Sequence, residues 1–167
     1  MIEIASVVLA VATACSVSQS ETALQEELTY QEFDSREGPY GWRFLNGAGC
    51  SDAALELLAA YAAANRGRLT LEQRQEMAFH SGQVLAFAGR DSEAIPYFEQ
   101  AASADATPES QAYVAATLAF LKHDAAALGE ARRRYVAVAP DSMRLKVIDG
   151  FIACADKPYA EAAHFGM

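Results

Sequence analysis

Apolar positions along the chain recur every three or four residues from about residue 51 onward, which is the spacing of one buried face of an α-helix. In the first such segment they are Ala54, Leu58 and Tyr61. Apart from an apolar run near the N-terminus, no segment alternates with the two-residue period of a strand. The pattern predicts an all-α fold. Its helices are predicted over residues 51–64, 70–88, 91–104, 108–121, 125–138, 143–153 and 158–163.

Local start and stop signals support these boundaries. Thr70 is followed three residues later by Gln73, which predicts a capping box at a helix N-terminus. Thr107 and Pro108 are an N-cap residue and a proline at the first helical position. Gly89 is a helix-ending glycine. These signals divide the chain into short helices joined by short turns.

The segment 75–106 has small and aliphatic residues where two antiparallel helices must touch, and a polar turn between them. It resembles one tetratricopeptide unit, and such a helix pair cannot bury its apolar face without stacked neighbours. The flanking segments match the same pattern less closely. The resemblance implies a short tetratricopeptide-like α-solenoid of about three helical hairpins. The matching positions are Gly82 and Leu85, the turn Gly89-Arg90-Asp91, and Ala94, Phe98 and Ala101.

The order of motifs over residues 41–164 is similar to that in a group of uncharacterised bacterial tetratricopeptide-like proteins. This resemblance implies a small helical-hairpin domain and no assigned activity. The matching motifs are Gly41-Trp42-Arg43, Gly49-Cys50, residues 79–83, residues 113–121 and residues 154–159.

The tetratricopeptide resemblance also implies that a protein or peptide binds in a concave groove lined by the first helix of each hairpin. Phe79, Gln83 and Phe87 form one stripe on such a helix, and His80 lies beside it. We therefore predict these four residues as the partner-binding groove. Two alternatives stay open: both phenylalanines belong to the core, and His80 is hydrogen-bonded within a helix interface.

The N-terminal residues 1–15 resemble a signal segment. Residues 4–14 are apolar but too few to cross a bilayer. Ala12, Thr13 and Ala14 then precede Cys15, as in the processing site of bacterial lipoproteins. We predict lipidation of Cys15, membrane attachment through that lipid and a location in the cell envelope. The alternative is a plain N-terminal apolar helix on a cytoplasmic protein.

Residues 16–40 are rich in serine and glutamate and end at Gly38 and Pro39. They are predicted as an acidic linker, with a short helix allowed over residues 23–30, before a helical domain at 41–167. The remaining cysteines, Cys50 and Cys154, are an even number for an oxidising compartment, and we predict that they pair. Two buried, unpaired thiols are the alternative.

Charge and missing motifs limit the function. A net charge of −9 and a pI near 4.7 argue against nucleic acid as a partner. No residues have metal-ligand or nucleophile spacing, so we predict no catalytic residues, no metal and no cofactor. The prediction is a non-catalytic protein- or peptide-interaction module of the bacterial cell envelope. The alternatives are an immunity-like or structural protein that caps a basic partner, and an enzyme of unrecognised type.

Overall fold

The computed structural model describes residues 15–38, 40–103 and 105–165, and within them it is all-helical, as predicted. The chain divides into two compact units, Met1–Leu69 and Thr70–Met167. None of the described helices is both long and apolar enough to span a bilayer. The helices of unit 1 are α1 (Gln19–Glu26), α2 (Tyr30–Ser35), α3 (Trp42–Gly47) and α4 (Ser51–Ala64). Those of unit 2 are α5 (Leu71–Phe87), α6 (Asp91–Ala101), α7 (Pro108–Leu121), α8 (Ala125–Val138), α9 (Met143–Ala153) and α10 (Tyr159–His164).

The helix boundaries follow the local signals. Thr70 and Gln73 form the predicted capping box of α5. Thr107 caps α7 through the backbone N–H of Ser110, and Pro108 is its first residue. The predicted helices from residue 51 onward are confirmed to within a few residues at each end.

Residues 16–40, predicted as an acidic linker with a short helix allowed over residues 23–30, contain two helices. Helices α1 and α2 fall inside this segment, and Phe33 of α2 is buried in parallel stacking with Tyr61 of α4, with ring centroids 3.8 Å apart. The Tyr61 hydroxyl donates to the backbone oxygen of Leu28 at 3.0 Å. The Asn65 side-chain amide donates to the backbone oxygen of Glu26 at 2.9 Å. Ring burial and these two hydrogen bonds fix the segment on α4.

The cysteine pairing also differs from the prediction. Cys50 forms a disulfide with Cys15, not with Cys154. Cys154 follows α9 in unit 2 as a half-buried free thiol. The bridge therefore lies within unit 1 and closes a loop of 35 residues.

In unit 2, α5 packs on α6 and α7 packs on α8. The first of these pairs is tightly packed at Gly82, because a Cβ atom there would lie 2.9 Å from the Phe98 ring. Ala94 is fully buried on α6. The sequence placed Gly82 and Ala94 in one helix interface; the closest neighbour of Gly82 is the Phe98 ring.

Three helix pairs end their first helix with the same turn. The turn residues Gly49, Gly89 and His123 have positive φ angles of 79°, 72° and 54°. In each turn the next residue donates its N–H five residues back, which is the six-to-one hydrogen bond of the Schellman motif. These bonds run from Cys50 to Leu45, from Arg90 to Leu85 and from Asp124 to Ala119, at 2.8, 2.9 and 2.8 Å.

Candidate functional site

A groove of about 710 Å³ runs along unit 2. Its walls are the N-terminal two thirds of α5, the end of α6 with the turn that follows, the first half of α7 and Arg144 of α9. Most of the lining thus comes from α5 and α7, the first helices of their pairs. The volume lies within the range of roughly 300–1,000 Å³ that is usual for ligand sites.

Aromatic rings form the floor of the groove. Phe79 contacts Phe98 edge to face, with ring centroids 5.1 Å apart, and lies 5.5 Å from the Tyr113 ring. Burial raises the pKa of Tyr113 to about 12, so this residue is a neutral phenol at physiological pH. Val114 and Ala101 add aliphatic surface. The floor can accept an apolar side chain.

His80 and Gln83 line the same groove and are hydrogen-bonded to each other. His80 Nδ1 lies 3.3 Å from Gln83 Oε1, and its Nε2 lies 4.0 Å from a carboxylate oxygen of Glu76. Only 8% of His80 is exposed. The ring is therefore held in place on α5, with its orientation fixed by two residues of its own helix.

The rim of the groove is mostly acidic. Glu72, Glu76 and Asp105 are exposed there, and Arg144 is the basic residue among the lining side chains. The Arg144 guanidinium lies 5.2 Å over the Tyr113 ring and 3.9 Å from a carboxylate oxygen of Glu109. Much of the positive charge of Arg144 is therefore balanced inside unit 2.

A hydrogen-bond network ties the start of α9, which carries Arg144, to α7 and α8. The buried Tyr135 hydroxyl donates to Glu109 Oε1 at 2.6 Å, and it lies 2.8 Å from Ser142 Oγ. Burial, followed by the hydrogen bond to Glu109, raises the pKa of Tyr135. The network positions the guanidinium at the groove wall.

Phe87, the last residue of the predicted stripe, does not line this groove and instead packs against helix α10. Tyr159 of α10 packs edge to face on Phe87 at 5.1 Å. Its ring also lies 6.2 Å from Phe120 and 5.4 Å from Phe151. Burial raises the pKa of the Tyr159 hydroxyl far above its usual value. Phe87 thus serves a four-ring cluster and is closed off from the groove.

Three of the four predicted groove residues, Phe79, His80 and Gln83, therefore line one groove. The sequence reasoning missed Tyr113, although a signal for it existed. Tyr113 follows Phe79 by 34 residues, the length of one tetratricopeptide unit. It missed Arg144 and the acidic rim because exposed charges carry no periodic signal.

The predicted lipidation residue, Cys15, is held in the bond to Cys50. A sulfur atom that carries a lipid thioether cannot also join a disulfide. The bridged protein is therefore an unlipidated form, and lipidation stays a prediction that competes with the bridge.

Comparison with known proteins gives no match: no family model, no curated protein and no solved structure is similar to the chain. The function must therefore be argued from the groove itself.

Proposed function

We propose that this protein is an exported, non-catalytic interaction module that binds a protein or peptide segment in the groove of unit 2. The observation that carries the proposal is the groove itself. It is about 710 Å³ in volume, has an aromatic floor, and is lined mainly by α5 and α7. An apolar floor with a few polar groups is the usual composition of a binding site.

The repeated turns support a tetratricopeptide-like solenoid of helical hairpins. Gly89 and His123 are 34 residues apart and end the first helices of successive pairs with the same hydrogen bond. The pairs α5–α6 and α7–α8 would then be successive repeats, and α9 would be the first helix of the next one. In such arrays the first helices form the binding face.

The bridge between Cys15 and Cys50 supports export. Structural disulfides persist in oxidising compartments and are rare in the cytosol. The apolar run at residues 4–14 agrees with this location, because it has the length of a signal-peptide core. In this proposal the mature protein resides in the cell envelope with its bridge formed.

Site-specific photo-crosslinking in the native host tests the proposal. A photoreactive amino acid at Gln75, which lines the groove, should give a discrete crosslinked product. The same group at Gln100, which is exposed on α6 and does not line the groove, is the matched control. Ser110→Trp, which places a large ring inside the groove, should abolish the product from position 75. Equal products from both positions, or none from position 75, would contradict groove binding.

A further inference from the structure

The charges around the groove indicate which class of segment it binds. The rim carries Glu72, Glu76 and Asp105 on the α5 side and on the turn before α7. Glu72 and Asp105 form no ion pair with a basic side chain among the described residues. The groove therefore presents acidic groups whose charge is not balanced within unit 2.

The one basic residue in the lining does not reverse this charge. Arg144 lies against the Tyr113 ring and faces Glu109 on α7. A partner carboxylate would have to compete with Glu109 and approach the rim carboxylates at the same time. Like charges brought together in this way are unfavourable, whereas a cation would be attracted.

We propose that the occupant is an unfolded protein segment in which lysine or arginine alternates with aliphatic or aromatic residues. This inference rests on the proposed function and narrows it to one chemical class of partner. The apolar side chains pack on Phe79, Tyr113 and Val114, and the cationic ones reach Glu72 and Asp105 at the rim. The aromatic floor supplies contact area, and the rim supplies selectivity.

The length of the bound segment is limited by the fold. On α5 the lining of the groove ends at Gln83, and Phe87, one turn further on, packs against Tyr159, so the open part reaches from the start of α5 to Gln83. Along the axis these residues, from Leu71 to Gln83, span about 18 Å at 1.5 Å per residue. An extended chain covers that distance in about five or six residues.

Fluorescence anisotropy with three labelled nonapeptides tests the proposal on the full, oxidised chain. One peptide alternates lysine with leucine, one alternates glutamate with leucine, and one alternates lysine with serine. We expect the lysine–leucine peptide to bind at least tenfold more tightly than the other two. Its affinity should fall as the salt concentration rises, because salt screens charge pairing.

The double variant Glu72→Gln, Asp105→Asn should weaken binding of the lysine–leucine peptide by about two- to thirtyfold, because the two exposed ion pairs together contribute roughly 0.4–2 kcal/mol. The control is Glu99→Gln, Glu130→Gln, which removes the same charge from exposed positions outside the groove. This control should bind as the unchanged protein does. Equal losses in both double variants would mean non-specific attraction to a chain of net charge −9 and would overturn the inference.

Failure of this inference can be separated from failure of the proposed function through Ser110→Trp. If the glutamate–leucine peptide binds more tightly and Ser110→Trp blocks it, the groove binds peptides but the cationic class is wrong. If a peptide binds and Ser110→Trp does not affect it, the groove is not the binding site. If none of the three peptides binds, the cationic class is refuted, and the crosslink from position 75 decides separately whether the groove binds a partner. Sedimentation without peptide shows whether the protein self-associates. If it does and Ser110→Trp abolishes this, the groove binds a second copy of the chain and the cationic segment is refuted.

Discussion

Helix α10 packs on α9 within unit 2 through a backbone contact at Gly150, and adding one methyl group at this glycine tests the contact. A Cβ atom on residue 150 would meet the backbone oxygen of Ala162 closer than any stable contact, and it would lie 3.1 Å from the Phe165 Cβ. Backbone atoms cannot rotate away as the end of a side chain can. In Gly150→Ala, α10 must therefore shift or leave its site.

The magnitude follows from what α10 buries. Detachment exposes Tyr159, which is 1% accessible and packed on three phenylalanines. Losing a buried aromatic side chain costs about 3–5 kcal/mol. Alanine in a helix gains about 1 kcal/mol over glycine, so the net loss should be about 2–4 kcal/mol. If α10 shifts but stays docked, the loss should be smaller. Overpacking costs about 1–3 kcal/mol, and the helix-propensity gain of alanine is subtracted from that cost.

Urea unfolding followed by circular dichroism measures this loss, and hydrogen exchange over residues 159–164 locates it. The control is Gly129→Ala in the middle of α8, where the nearest atom is Arg133 Nη1 at 3.8 Å. That variant should gain up to about 1 kcal/mol from helix propensity alone. If Gly150→Ala is as stable as the unchanged chain and residues 159–164 exchange no faster, the docking of α10 through Gly150 is refuted.

Three further predictions concern the turn at His123, the cysteines and the Tyr135 hydrogen bonds. His123→Gly should raise the free energy of unfolding by about 0.5–1 kcal/mol, since glycine adopts the φ of 54° without the side-chain strain; urea unfolding that shows no gain would contradict this. Thiol titration of the unfolded, unreduced chain should detect Cys154 alone, and reducing the bridge between Cys15 and Cys50 should cost about 2–4 kcal/mol. Three titratable thiols before reduction would contradict the bridge. Tyr135→Phe should cost about 1–3 kcal/mol because two hydrogen-bond partners lose the hydroxyl, and an unchanged thermal midpoint would argue against that network.

The helices of unit 2 could be predicted because their signals are local. The capping box at Thr70 and the proline at residue 108 lie within the turns that they start. The helix pair with the clearest small-residue pattern is tightly packed at Gly82, where an added Cβ atom would lie 2.9 Å from the Phe98 ring. Local hydrogen bonds and close helix contacts leave a trace in the sequence.

Within the predicted linker the sequence allowed a short helix over residues 23–30, but it did not indicate the two helices α1 and α2. Each helix is short, and among the described residues each has one buried side chain, which is Gln25 in α1 and Phe33 in α2. The partner of Phe33 is Tyr61, 28 residues further along the chain. A short helix with one buried side chain has no apolar periodicity, so its acidic surface was read as a linker. Its stability comes from a contact that no local pattern shows.

The packing of Phe87 against Tyr159 has the same kind of cause, and it changes how the groove should be tested. Phe79 and Phe87 lie two turns apart on α5, yet Tyr159, from the end of the chain, covers only the second. Phe79 itself packs on Phe98, so replacing it by alanine would lower stability and binding together. A loss of binding in that variant cannot distinguish a groove from a core. The exposed rim carboxylates Glu72 and Asp105 avoid this ambiguity, because none of the aromatic contacts of the groove involves them.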